Sequence, residues 1–188
     1  NLKKKLTQKS NYITFIGKLN ESKGYDIYSK AIVKILDEFP SWKAFSLGDE
    51  DRRKIYINHK NHHELGFLKH SRVMDLLDKT SISVVPSKWE EPFGRTALEA
   101  TSRGCATIIS NRGGLPETTD KAIVLKNLDF ISLYKQIRYL IKNYKIRQNI
   151  QKDSFRNVLH IIPENTKLLD KIRQECLPYS NFNFVKNK

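Results

Sequence analysis

Ile82-Ser83-Val84-Val85-Pro86, followed by Glu91-Pro92-Phe93-Gly94-Arg95-Thr96-Ala97-Leu98-Glu99, is the stretch that decides how this chain reads. The short β-branched run predicts a buried strand, and the proline and glycine after it predict a turn into a helix beginning at Gly94. Such a strand, turn and helix start make an anion site in an α/β sheet. The first-turn N–H groups have no partner within the helix, and the helix dipole favours negative charge there. Glu91 falls just before this helix and Glu99 inside it. Two carboxylates repel phosphate but accept hydrogen bonds from hydroxyls. A sugar nucleotide has both features, because its diphosphate lies between a ribose and a hexose.

Outward from this segment, strands alternate with helices. Tyr12–Ile16 reads as a strand ending at Gly17, and a helix from about Gly24 to Phe39 carries Tyr28, Ala31, Ile32, Ile35 and Leu36 on one stripe before Pro40 stops it. Ala44–Leu47 is a strand ending at Gly48, Ile55–Ile57 a possible short one, and Glu64–Phe67 another. Ser71 is expected to cap a helix with Val73, Met74, Leu76 and Leu77. Beyond the central segment come the strand Ala106–Ile109, a Gly113-Gly114 turn, a short strand Ala122–Leu125 and a helix with Phe130, Leu133, Ile137, Leu140, Ile141 and Tyr144 on one face. The remainder reads as helical, through Phe155, Val158, Leu159, Leu168, Leu169, Ile172 and Cys176. This alternation predicts a Rossmann-like α/β fold, a parallel sheet with helices on both faces. Gly17, Gly48, Gly66, Pro86 and Gly113 follow strands and so share the rim where such sheets bind ligands.

The chain has 188 residues, 39% apolar and 29% charged, which suits one domain with a real core. The domain is expected to span 1–188, with its core at about 12–155. No apolar run approaches the ~20 residues of a bilayer span. The basic start Asn1–Lys5 is not followed by the apolar stretch of a signal peptide, and without an initiating Met the sequence reads as a piece of a longer protein. Cys105 and Cys176 lack metal-ligand or CxxC spacing, so a reduced, buried Cys105 and a cytoplasmic setting are expected. The net charge of +14 comes mostly from lysines dispersed along the chain. No basic run is interleaved with aromatics, which argues against nucleic acid, while peripheral contact with the inner face of an acidic membrane fits.

Other groups have plain readings beside functional ones. Lys18 and Lys23 lie between Gly17 and Gly24, where each can meet a phosphate or simply face solvent. The glycine spacing of a P-loop is absent. Glu91 and Glu99 are equally open to roles as a helix-start carboxylate and a solvated helix position, or as a glycoside-hydrolysing pair. Asn111–Glu117 is a Gly-rich turn whose glycines permit close approach to a ligand. His59, His62 and His63 read as a solvated loop rather than a metal site.

Taken in order, Phe15-Ile16-Gly17-Lys18-Leu19 with Lys23-Gly24, Gly48-Asp49, Gly66-Phe67-Leu68, Val85-Pro86-Ser87, Glu91–Gly94 through Glu99-Ala100, and Gly113–Glu117 resemble the C-terminal donor-binding domain of retaining GT-B glycosyltransferases of the family-4 group. The resemblance runs from about Ile13 to Phe155. It implies that Glu91 contacts donor-sugar hydroxyls, that Glu99 accepts from ribose hydroxyls, and that Lys23 neutralises the diphosphate. Lys18 stands where arginine is usual, keeping the charge without the bidentate fork. Glu91, Lys23 and Lys18 are thereby the implied catalytic residues. Gly17, Phe67, Leu68, Phe93, Gly94, Arg95 and Thr96 complete the implied donor site, with Phe67 and Leu68 toward the base. Arg95 stands where an aliphatic residue is more common.

The resemblance further implies a hexosyl transfer from a UDP-, GDP- or ADP-sugar to a glycan or lipid-linked acceptor, with no metal or other cofactor. Positive side chains and helix-terminal amides would stabilise the leaving group. The acceptor side of such a site comes from an N-terminal GT-B domain, toward which the helices at about 156–180 would pack. A nucleotide-sugar epimerase-like domain and a non-catalytic nucleotide-sugar-binding or partner-binding domain remain as alternatives.

Overall fold

A computed structural model describes residue 6 and residues 8–51, 55–118 and 121–176. The elements run β1 (Ser10–Ile16), a 3-10 turn (Glu21–Lys23), α1 (Tyr25–Glu38), β2 (Lys43–Leu47), β3 (His62–Glu64), α2 (His70–Lys79), β4 (Thr80–Val85), α3 (Arg95–Ser102), β5 (Ala106–Ile109), α4 (Leu115–Thr118), β6 (Ile123–Val124), α5 (Phe130–Lys142) and α6 (Tyr144–Cys176). Six parallel strands lie in the order β3-β2-β1-β4-β5-β6. The order reverses between β1 and β4, and the carboxyl ends of those strands open the crevice in which such sheets hold ligands. The architecture is the expected Rossmann-like one.

Alternation along the strands assigns each side chain to a layer. Ile13 and Phe15 of β1, Ile82 and Val84 of β4 and Ile108 of β5 point to one face, where Tyr28, Ile32 and Ile35 of α1 and Leu133, Ile137 and Leu140 of α5 cover them. On the other face, Leu47 joins Val73, Met74 and Leu77 of α2, and Val85 and Ile109 meet Ala97 of α3 and Leu115. Each large apolar side chain so buried contributes roughly 1.5–3 kcal/mol. The helical stripe of α1 ends where expected, with Phe39 as the capping residue before Pro40. Asp129 caps α5 by accepting from the Ser132 N–H at 2.8 Å. Cys105 is buried against the end of α2, and burial pushes its thiol up to about 12.

Several expectations need correction. The strand expected at Glu64–Phe67 lies two residues earlier, at His62–Glu64, because His62, His63 and Glu64 pair with Ala44, Phe45 and Ser46 of β2. Gly66 then turns the chain in the left-handed region. Ile55–Ile57 forms no strand; Ile55 and Ile57 pack as irregular backbone against the α1 side of the core. Ser71 lies within the first turn of α2, whose capping position is Lys69, with no side-chain cap. The strand expected at Ala122–Leu125 is reduced to Ile123–Val124, and Tyr144 opens α6 instead of closing α5. The backbone of Asn1–Lys5 and of 177–180, and the side chains of Val158, Leu159, Leu169 and Cys176, lie outside the described residues.

The histidines also depart from the solvated loop expected for them. His62 and His63 are half-buried on β3, and His59 sits 3.4 Å from Asp37. Tyr25 O–H donates to Ser46 Oγ at 3.3 Å, and that oxygen lies 2.8 Å from His62 Nε2. Burial holds His62 down from 6.5 to about 4, with Glu64 pulling the other way. The unfolded chain therefore takes up this proton first. The contribution to stability is present above pH 6.5 and is lost as pH falls through about 4. With the ring only part-buried, the loss is about 1–2 kcal/mol. Urea midpoints measured from pH 7.5 to 4.5 should fall less steeply for His62→Gln than for the unsubstituted chain; equal slopes would refute this assignment.

Candidate functional site

At the carboxyl ends of β1 and β4 lies a cavity of about 200 Å³ lined by Phe15, Ile16, Gly17, Lys23, Val85, Ser87, Glu91, Gly94, Arg95 and Thr96. Six of the expected site residues thus converge: Gly17, Lys23, Glu91, Gly94, Arg95 and Thr96. Gly94 adopts a left-handed conformation (φ 75°) at the head of α3 and provides no side-chain cap. The first bonds into this helix start run from the Ala97 and Leu98 N–H groups to the Gly94 carbonyl. The amides of Arg95 and Thr96 precede them, so the orphaned donors of a helix start border the cavity.

Lys23 Nζ donates to Glu91 Oε1 at 2.6 Å, and Ser87 Oγ donates to the same oxygen at 2.9 Å. The Glu91 side chain is only 15% exposed. Its charge is therefore held by a cation and a hydroxyl, 68 residues and 4 residues away in sequence. Lys23 thus offsets the carboxylate that stands beside the helix start, whose first-turn amides have no partner within the helix. Lys23 owes its position to Asn20, whose side chain accepts from the Lys23 N–H at 3.2 Å, and to Gly24, whose left-handed backbone abuts the Pro86 carbonyl.

The loop that carries Glu91 is clipped from the far side by the Gly113-Gly114 turn. The Gly113 N–H donates to Glu90 Oε2 at 2.5 Å, Arg112 Nη1 reaches Glu90 Oε1 at 3.0 Å, and the Gly114 N–H donates to the Glu91 carbonyl at 2.7 Å. A Cβ on either glycine would collide with the backbone of Glu91 or Pro92. The close approach these glycines permit is therefore to the protein's own backbone.

Other expected residues lie outside the cavity. Lys18 is exposed and has no side-chain partner among the described residues. Phe67 is 81% exposed, whereas Leu68 packs against the α2 layer. Phe93 stands exposed on the rim. Glu99 sits one turn along α3, where its Oε1 lies 3.2 Å from His70 Nε2. Sequence reasoning missed His70 altogether, and its one signal for Ser87 is the Val85-Pro86-Ser87 motif.

A larger cavity of about 810 Å³ lies at the opposite ends of the strands, among Leu6, Lys9, Ser81, Arg147, Gln151 and Phe155. Its inner polar groups are already used. Lys9 Nζ donates to the carbonyls of Leu77, Asp78 and Arg103, Arg147 Nη1 to that of Leu140, and Gln151 to that of Ser81. These tie α6 to α5 and β4, and the residue before β1 to the ends of α2 and α3. Among the described residues no group of three His, Cys, Asp or Glu side chains is placed to hold a metal ion, and no helix is long and apolar enough to cross a membrane.

Known proteins share this fold. Spore coat protein SA of Bacillus subtilis is 29% identical over 124 residues, which cover 58% of this chain and 32% of that protein. The crystallised C-terminal domain of LpcC, a glycosyl transferase group 1 family protein from Francisella tularensis, aligns with a TM-score of 0.69 at 21% identity, over 81% of this chain and 86% of that one. HepE from Anabaena, crystallised with UDP-glucose, aligns with a TM-score of 0.73 at 16% identity, over 88% of this chain and 49% of that one. The chain spans about a third of the length of the curated relatives it matches. The family model described as glycosyl transferases group 1 matches residues 1–156, the whole of the sheet and both flanks of the rim cavity; the chain belongs to that family.

Proposed function

We propose that this chain is the donor-binding half of a retaining, metal-independent glycosyltransferase that passes a hexose from a nucleoside diphosphate sugar to a glycan or lipid-linked acceptor. The observation that carries the reading is the Lys23–Glu91–Ser87 constellation beside the start of α3. It sets a cation, a hydroxyl acceptor and orphaned amides around one small cavity at the sheet's switch point. HepE, with the same fold, was crystallised with UDP-glucose, which supports a donor of that class.

In this reading the diphosphate lies over the amides of Arg95 and Thr96 and takes charge-assisted hydrogen bonds from Lys23, with Lys18 and Arg95 adding positive potential from the rim. The sugar extends toward Glu91, whose second oxygen accepts from its hydroxyls. Glu99 accepts from the ribose hydroxyls, and Phe67 and Leu68 border the base. As the bond from the anomeric carbon to the β-phosphate oxygen breaks, negative charge grows on that oxygen, and the fixed cations and amides stabilise it. This work requires no divalent cation. An N-terminal domain would bring the acceptor hydroxyl, so sugar transfer by this chain alone would be poor. The part of α6 beyond about residue 156 would pack toward that domain, and the dispersed positive charge suits work at the inner face of a membrane.

Calorimetric titration with UDP, GDP and ADP tests the reading. One of the three is expected to bind in the micromolar to millimolar range, equally with and without a chelator, and to lose at least fivefold in affinity in Glu99→Ala. Absence of binding to all three by the folded chain would overturn it.

A further inference from the structure

Glu99 is held in a way that the donor site as described leaves unused. His70, the first residue of α2, reaches across to α3 and places Nε2 3.2 Å from Glu99 Oε1. A carboxylate can only accept, so Nε2 carries the proton and donates. Among the described residues no other side chain bonds this carboxylate, which is 30% exposed. The His70 ring is 71% exposed, so the contact stabilises the fold little. What it does is orient: with Oε1 engaged by His70, Oε2 is the oxygen left to accept from a ligand. His70 also stands three residues after Phe67, at the end of the turn that begins at Gly66. One side chain thereby couples the loop beside the base to the carboxylate on α3.

We infer that His70 is a positioning residue for ribose recognition, fixing the Glu99 carboxylate so that its second oxygen meets the ribose hydroxyls of the bound nucleotide. This rests on the donor-binding reading of the same site. A pair that merely decorates the surface would leave nucleotide binding unchanged, and a direct contact with the base or phosphate would act on any nucleotide, whether or not it carries ribose hydroxyls.

The test uses the whole chain and whichever of UDP, GDP and ADP binds it best, beside the 2′,3′-dideoxy counterpart. His70→Ala should weaken the ribonucleotide about five- to tenfold and the dideoxynucleotide less than twofold. His70→Gln, whose amide N–H can replace Nε2–H, should bind the ribonucleotide within about twofold of the unsubstituted chain. Adding His70→Ala to Glu99→Ala should produce no further loss. Equal weakening of both nucleotides by His70→Ala, or no weakening of either, would overturn the inference while leaving the donor-binding reading intact. Failure of the unsubstituted chain to bind any of the three nucleotides would instead remove that reading, and this inference with it.

Discussion

Lys23→Ala is expected to weaken nucleoside diphosphate binding by about tenfold to a hundredfold, the effect of losing a charge-assisted hydrogen bond of roughly 1.5–3 kcal/mol. Two losses combine. The phosphate loses a donor, and the Glu91 carboxylate, 15% exposed and 2.6 Å from Lys23 Nζ, loses the cation that offsets it. The uncompensated charge then faces the incoming diphosphate. Lys23→Arg should retain more affinity, because the charge persists although the geometry changes. The fold should survive the alanine change, since the lysine side chain is itself 30% exposed and belongs to the rim. Titration calorimetry with a thermal melt on the same sample separates the two effects; affinity within twofold of the unsubstituted chain would show that Lys23 does not meet the diphosphate.

The second large effect falls on stability. Gly113→Ala should cost about 2–4 kcal/mol, a sum of left-handed strain and a steric clash with a rigid neighbour. Gly113 has a φ of 53°, and the added Cβ would drive into the backbone oxygen and nitrogen of Glu91. The loop must then retreat, breaking the 2.5 Å bond from the Gly113 N–H to Glu90 and the 2.7 Å bond from the Gly114 N–H to the Glu91 carbonyl. If Glu91 meets the donor sugar as proposed, nucleotide-sugar affinity should fall with it, while affinity for the bare nucleoside diphosphate falls less. A urea midpoint unchanged by the substitution would show that this turn does not brace the rim.

Much of the fold was legible in the sequence where burial is complete. β4 and β5 are buried along their whole length and read as short apolar or β-branched runs, and α1 and α5 show full helical stripes. β3 was misplaced because its residues are His62, His63 and Glu64, with no apolar signal; only pairing with β2 makes them a strand. Ser71 looked like a cap because its residue type favours one, but helix α2 begins at His70, before it. Within the site, the local motif carried Glu91, Gly94, Arg95 and Thr96 together. The pairing of Lys23 with Glu91 and of His70 with Glu99 joins residues 68 and 29 positions apart, and no local pattern records such contacts. Nor could sequence reveal that Gly113 and Gly114 press on the protein's own backbone instead of opening space for a ligand.

Ser87 has one further consequence. It is 1% exposed, and the chain around it is tied to both neighbours. The Lys88 and Trp89 N–H groups both donate to the Ser22 carbonyl, and Ser110 Oγ donates to the Ser87 carbonyl at 2.6 Å. A hydroxyl has a single proton to give, and the charged Glu91 oxygen at 2.9 Å is its strongest claimant. The ends of β1, β4 and β5 are therefore knotted at one point, and the loops after them behave as a single jaw. In the donor-binding reading the ligand meets this jaw already set, and any movement that accompanies binding has its pivot outside the knot.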